Sequence, residues 1–238
     1  MLVFKPTAAL LCLLLALTAT TPSYANTRDI FLDGISDVVK LHLSNGSVYE
    51  GQVVACIIND KQDVCFEGRG VFTLANGYRY EGEFKDNKPN GKGVFTSRGG
   101  ARYSGEFKGG TLDGQGVRLY ADGRHYKGHY KGSQRHGFGV MVYRDGSQYS
   151  GEFKNDKRDG QGIMTHPDGR HYEGSYKNNK RDGYGVMTYQ DGGLYQEGSR
   201  YEGEFKNDQR HGQGIMVYLD DGRRLAGEFK ENVFIGMQ

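Results

Sequence analysis

The sequence predicts an all-β fold, an elongated single-layer antiparallel meander of stacked β-hairpin repeats. Three observations predict it: a large excess of glycine, a 23-residue self-similarity, and Asn-Gly or Asp-Gly pairs between successive copies. The 238 residues include 38 glycines, 17 tyrosines, 12 phenylalanines, four prolines and no tryptophan. Glycine usage is more than twice the average of about 7%. Each helical glycine costs roughly 1 kcal/mol relative to alanine, which excludes a helical bundle. A hydrophobic content of 36%, against an ordinary 45–50% or so, argues against a thick two-layer core. Collagen is excluded by the lack of a Gly-X-Y period and the scarcity of proline. A polar, glycine-rich chain could also be disordered, but the regular placement of its aromatic residues decides against that. The net charge is +2, from 31 basic and 29 acidic residues, so no general attraction to nucleic acid follows.

From the amino terminus, residues 1–25 read as a signal peptide. Lys5 supplies a positive start, Ala8 to Ala19 an apolar run, and Ser23-Tyr24-Ala25 a small-x-small cleavage site. Cleavage is expected after Ala25. The apolar run, of about 12 residues, falls short of the ~20 that span a bilayer, which favours a cleaved signal over an anchor. The protein is therefore expected to be exported, to a periplasm or out of the cell. Residues 26–45 form an N-terminal segment and 46–238 the repeat domain. Two cysteines remain after cleavage, Cys56 and Cys65. An oxidising compartment makes a disulfide between them the expected state; their spacing does not suit a metal site.

The repeat is the most informative feature. Tyr80-Glu81-Gly82-Glu83-Phe84-Lys85 recurs at Tyr103, Tyr126, Tyr149 and Tyr172 at 23-residue intervals, then at Tyr201 after an insertion around Leu194 to Arg200. Each copy is followed by Gly-x-Gly: Gly91/Gly93, Gly114/Gly116, Gly137/Gly139, Gly160/Gly162, Gly183/Gly185 and Gly212/Gly214. Both ends are modified copies. The unit at Tyr49 reaches its Gly68-Arg69-Gly70 eight residues late, so the Cys56–Cys65 stretch reads as a stapled, enlarged turn. The unit at Leu225 stops just after Gly236.

Tyr-x-Gly-x-Phe alternates with period two, which puts tyrosine, glycine and aromatic on one face of a strand. Gly137 to Tyr143 reads as a second strand of the same kind. Asn45-Gly46, Asn76-Gly77, Asp122-Gly123, Asp145-Gly146, Asp168-Gly169, Asp191-Gly192 and Asp221-Gly222 are expected to form type I′ turns, whose two central residues need positive φ. Segments such as Lys154 to Asp159 are expected to be longer loops. The recurrence of strand glycines opposite aromatics suggests slots in which a neighbouring unit's ring lies flat. Stability would then come from stacking units that are too thin to fold alone.

A Tyr-x-Gly-x-Phe-x₆-Gly-x-Gly unit with this period resembles the MORN (membrane occupation and recognition nexus) repeat, over about residues 46 to 238. The resemblance implies an elongated, twisted single-layer sheet used in protein–protein scaffolding, dimerisation or phospholipid association. Enzyme domains joined to such repeats in some family members have no counterpart in these residues.

Four groups of side chains are candidates for contact. The rings of Tyr80, Phe84, Tyr103, Phe107, Tyr126, Tyr130, Tyr149, Phe153, Tyr172, Tyr176, Tyr201 and Phe205 could line a trough for a peptide or glycan, or be the fold's own core. Lys154, Lys157, Arg158, Lys177, Lys180, Arg181, Lys206 and Arg210 would line one edge, either as an anionic-lipid surface or as a solvated rim neutralised by nearby aspartates. Glu83, Glu106, Glu152 and Glu204 are expected to face solvent as partners of lysines. Val233, Phe234 and Ile235, on an uncharged terminal edge, would contact a partner or a second copy, or fold back as a cap. No spacing suggests a catalytic, cofactor or metal site. The expectation is a non-catalytic, exported scaffold for protein–protein interaction. A peripheral binder of anionic phospholipid is the first alternative and a glycan-active envelope enzyme the second.

Overall fold

The computed structural model describes residues 38–58, 61–189 and 198–236. The signal segment, residues 26–37, the Asp191-Gly192 pair, most of the expected insertion and Met237 lie outside them. The described residues contain seventeen strands and no helix, and they divide into two compact units.

The first unit runs through β1 (Val38–His42), β2 (Val48–Ile58), β3 (Lys61–Thr73), β4 (Arg79–Lys85), β5 (Lys88–Thr96), β6 (Arg102–Lys108) and β7 (Thr111–Leu119). Each strand pairs antiparallel with the next. The residues of β8 (His125–Lys131) are shared between the units. The second unit continues with β9 (Gln134–Val142), β10 (Gln148–Lys154), β11 (Lys157–Thr165), β12 (His171–Lys177), β13 (Lys180–Tyr189), β14 (Ser199–Lys206), β15 (Gln209–Tyr218), β16 (Arg224–Lys230) and β17 (Val233–Gly236). It is a meander of the same kind. Each unit is thus the single-layer hairpin stack that the repeat predicts.

The turns are distributed the other way round from expectation. Asn155-Asp156, Asn178-Asn179 and Asn207-Asp208 each take positive φ at both residues, the requirement of a two-residue I′ turn. Short polar side chains tolerate the left-handed region, so the expected longer loop at Lys154 to Asp159 is a tight hairpin. At Asp145-Gly146 only the glycine is left-handed, at φ 83°. There Tyr143 and Ser147 close a three-residue loop through Tyr143 N to Ser147 O, 2.8 Å. The Asp145 carboxylate accepts the Ser147 amide at 2.9 Å. The aspartate therefore serves as an Asx-type acceptor.

The extra residues of the first copy are also not an enlarged turn. They lengthen β2 and β3 into a hairpin whose register runs from Val48↔Thr73 to Ile58↔Lys61. A disulfide joins Cys56 and Cys65 across it, with Cα atoms 5.8 Å apart.

The core is a file of rings lying over bare backbone. Gly151 pairs with Gly162, and the ring of their own unit's Tyr149 covers both. The slot expected for a neighbouring unit's ring is thus filled from within, because the tyrosine hydroxyl reaches forward to donate to the Glu152 carbonyl at 3.0 Å. The rings meet edge-on instead: Tyr149 meets Phe153 of its own copy at 5.1 Å and Tyr176 of the next copy at 5.2 Å, both near-perpendicular. Tyr172, Phe205, Tyr201 and Phe229 continue the alternation. Each such contact adds about 0.5–1.5 kcal/mol beyond burial.

Burial of these phenols has a consequence for pH. Desolvation pushes the hydroxyls of Tyr176 and Tyr201 from 10.0 up to about 12, and raises Tyr80, Tyr103, Tyr149 and Tyr172 further. A raised folded-state pKa stabilises the protonated form, so the contribution is complete below the unfolded value of about 10 and is lost as pH climbs through the folded values. We expect cooperative alkaline unfolding above pH 10, with tyrosinate absorbance and loss of β circular dichroism rising together. Tyrosinate forming near pH 10 in a still-folded chain would contradict this burial.

Candidate functional site

A surface that can meet a partner must come from what the core leaves over. All twelve candidate rings, Tyr80 through Phe205, are buried. They do not form an open trough, since every ring is enclosed by its neighbours and the tyrosines of Tyr-x-Gly also lie over paired glycines. Their place is the core, the other reading that the sequence left open.

The basic edge divides in two. Lys154, Lys157, Lys177, Lys180 and Lys206 are exposed, whereas Arg158, Arg181 and Arg210 are not members of a free rail. The Arg158 guanidinium lies 5.6 Å from the Tyr149 ring centre and 5.0 Å from that of Tyr176. Its Nη2 donates to the Asn179 carbonyl at 2.6 Å, and its backbone amide donates to Asn179 Oδ1 at 2.8 Å. Arg181 holds Asp208 of the following turn in the same way, and Arg210 holds Asn232. A flat guanidinium can cap aromatic faces while its edge bonds a carbonyl, which a charge count along the sequence does not reveal. Copies in the first unit fill this position with Phe66, Pro89 and Leu112.

The strand glutamates are likewise structural. Glu152 Oε1 accepts the Gln161 amide at 2.9 Å, and Glu83, Glu106 and Glu204 accept Lys92, Gln115 and Gln213. Each spans the bulge at the first glycine of Gly-x-Gly, where the register shifts. They are bulge acceptors first and not lysine partners.

The terminal strand does present apolar surface. Among the described residues β17 pairs only with β16. Val233 is 60% and Ile235 57% exposed, while Phe234 turns inward against Phe229 at 5.2 Å. One residue of the trio thus acts as a cap and two face outward.

Phe138 and Tyr184, absent from the residues that the repeat singles out, are 59% and 57% exposed. They occupy the middle of Gly-x-Gly, where the other copies carry Arg69, Lys92, Gln115, Gln161 and Gln213. That departure was the available signal. On the sheet face opposite the core they stand in cross-strand register with Glu152 and Glu204 respectively, and the partly exposed Ile163 lies on the same face of β11. The Tyr184 hydroxyl donates to Glu202 Oε1 at 2.9 Å. Hydrogen bonds from Tyr184 and Arg200 hold the Glu202 carboxyl below its ordinary range. Each aromatic thus stands exposed among polar side chains on that face, Phe138 on β9 and Tyr184 four strands away on β13, a setting suited to noncovalent contact. Among the described residues no group of histidine, cysteine and acidic side chains has the geometry to hold a metal ion, and no helix is long and apolar enough to cross a membrane.

A family model for the MORN repeat matches residues 66–77, 80–102, 103–123, 126–148, 149–169, 172–194 and 201–223. The copy at Tyr49 is matched in its second half, and the copy at Leu225 lies outside the matched residues. No curated protein matches the chain. Among solved structures, the TCP domain of Drosophila melanogaster SAS-4 (dCPAP), in complex with a proline-rich motif of Ana2 (dSTIL), is similar at 9% identity and a TM-score of 0.37, over 86% of this chain and 96% of that one. A catalytically inactive virginiamycin B lyase from Staphylococcus aureus with quinupristin is similar at 12% identity and a TM-score of 0.17, over 88% and 76%. Neither likeness is close enough to carry a structural argument.

Proposed function

Because the chain belongs to the MORN repeat family, we propose that it is an exported, non-catalytic scaffold whose exposed sheet face and terminal edge dock another protein. The observation that supports this most is the exposure of Phe138 and Tyr184, two large aromatics outside the core at a repeat position that the other copies fill with arginine, lysine or glutamine. Exposed aromatic anchors ringed by polar groups are the usual source of binding energy at protein interfaces. The uncharged β17 edge, with Val233 and Ile235 outward, supports a second contact, to a partner strand or to another copy of the chain. The exposed row Lys154, Lys177 and Lys206 supports a subsidiary association with anionic phospholipid, weakened by salt.

One experiment tests both contacts. A photocrosslinking amino acid is placed at position 138, or at position 233, in the full chain in its native envelope. The expected result is a discrete adduct from position 138 that Tyr184→Ala suppresses, and a distinct adduct from position 233. A position-233 adduct at twice the protein's own mass identifies self-association. No adduct from either position, with the protein correctly folded, would remove the scaffold reading.

A further inference from the structure

We propose that a recess in the second unit is a binding site for a small phosphomonoester with a flat apolar group. The recess, of about 450 Å³, lies at the glycine-turn end of β9 to β11. Tyr143 and Met164 supply its apolar lining, and three arginines, Arg124, Arg144 and Arg158, also line it. Asp145, Ser147 and His166 complete the rim.

The repeat supplies an internal control for this recess. At the position of His166 the neighbouring copies carry Tyr143 and Tyr189, and at the position of Ser147 they carry Arg124 and Arg170. Both replacements are smaller, and together they open space that a tyrosine and an arginine would occupy. At the position of Arg144 the flanking copies carry Ala121 and Pro167. His166, Ser147 and Arg144 thus differ from both flanking copies around one recess, two making room and one adding a cation, while serine recurs as Ser47 and Ser199 and arginine as Arg98 in more distant copies.

The charge favours an anion. Three arginines face a single lining carboxylate, Asp145, and that group is engaged by the Ser147 amide at 2.9 Å. Arg124 is held by Asp122 at 2.8 Å. Arg158 is fixed by its stacking on Tyr149 and Tyr176 and by the Asn179 carbonyl. Arg144 is exposed and makes no ion pair among the described residues. Ser147 Oγ and His166 Nδ1 lie 2.9 Å apart, and burial together with the nearby Arg170 cation lowers the pKa of the imidazole. The rim therefore offers a hydroxyl and an imidazole as hydrogen-bonding groups beside the arginines. A phosphate dianion matches several guanidinium forks better than a carboxylate monoanion does. The Tyr143 and Met164 lining would seat the ester's apolar portion.

Isothermal titration of the full chain with phenyl phosphate, inorganic phosphate and phenol tests the site. Saturable binding of one phenyl phosphate per chain is expected, with inorganic phosphate weaker and phenol silent. Arg144→Ala should weaken it by about tenfold or more, as loss of a charge-assisted bond does. His166→Tyr, which restores the residue of the flanking copies, should abolish binding with the melting temperature unchanged. Pelleting with phosphatidate vesicles separates the sources of the phosphate. Vesicle binding that phenyl phosphate displaces and Arg144→Ala removes would assign the phosphomonoester to a lipid. Absence of saturable phenyl phosphate binding, or equal binding by Arg144→Ala, overturns the proposal.

Discussion

Alanine at Gly151 is expected to destabilise the protein by about 3 kcal/mol or more, the upper end of what overpacking a core costs. The reason is steric and local. A Cβ on Gly151 would stand 2.5 Å from both the Gln161 carbonyl oxygen and the Gly162 Cα, and 2.6 Å from the Tyr149 hydroxyl. Two of those three atoms are backbone of the paired strand, which cannot swing aside as a flexible side chain can. The tyrosine is equally confined, because its hydroxyl donates to Glu152 and its ring meets Phe153 and Tyr176. At roughly 2–4 °C per kcal/mol for a chain of this size, the melting temperature should fall by about 6–12 °C. Gly123→Asn is the matched control. Gly123 is left-handed at φ 91° with nothing within 4 Å of its would-be Cβ, and asparagine tolerates that region, so its cost should be well under about 1 kcal/mol. Equal melting temperatures for the two variants would show that the ring does not rest on bare backbone.

Arg210→Ala is expected to cost about 3–4 kcal/mol, large for a residue that a sequence would place on the surface. Arg210 is only 4% exposed, with its guanidinium 5.7 Å from the Tyr201 ring centre and 5.6 Å from that of Phe229. It also donates to the Asn232 carbonyl at 2.8 Å. Truncation removes a charge-assisted bond worth about 1.5–3 kcal/mol and a desolvated cation–π contact of up to about 2 kcal/mol. Arg210→Leu should recover roughly half of that loss on the scale of a buried leucine, since Leu112 occupies the equivalent position opposite Phe107. Arg210→Lys should recover less, because an ammonium cannot lie flat between two rings. Urea unfolding of the three variants gives the order directly, and a lysine variant as stable as the native protein would defeat the planar-clamp explanation.

These two cases mark where sequence reasoning ends. The units from Tyr49 to Leu225, the shared face of tyrosine, glycine and phenylalanine, and the Cys56–Cys65 pair were all legible, because each depends on spacing along the chain. The turn types were not. Asp-Gly is compatible both with a two-residue turn and with a longer loop closing on a left-handed glycine, and Asn155-Asp156 carries no glycine to announce positive φ at both positions. The arginine clamps were misjudged for a different reason. Arg158 is bonded to a residue 21 positions ahead, and nothing local says which turn lands beneath it. Phe138 and Tyr184 were visible as departures from the repeat, yet without the alternation of faces across β9 and β13 they could be assigned to the core as readily as to the surface.

By itself the sequence determined the architecture, since period-two alternation and a fixed repeat length leave few alternatives to a hairpin meander. Only the tertiary structure decided which side chains remain for contact. In a single-layer sheet the core rings and the clamped arginines each have a neighbour one copy away, and their burial is set by that neighbour more than by the residue's own polarity. Tyrosines that looked available are therefore enclosed, arginines such as Arg158 and Arg210 that looked solvated are clamped, and the exposed large aromatics Phe138 and Tyr184 are residues that break the pattern.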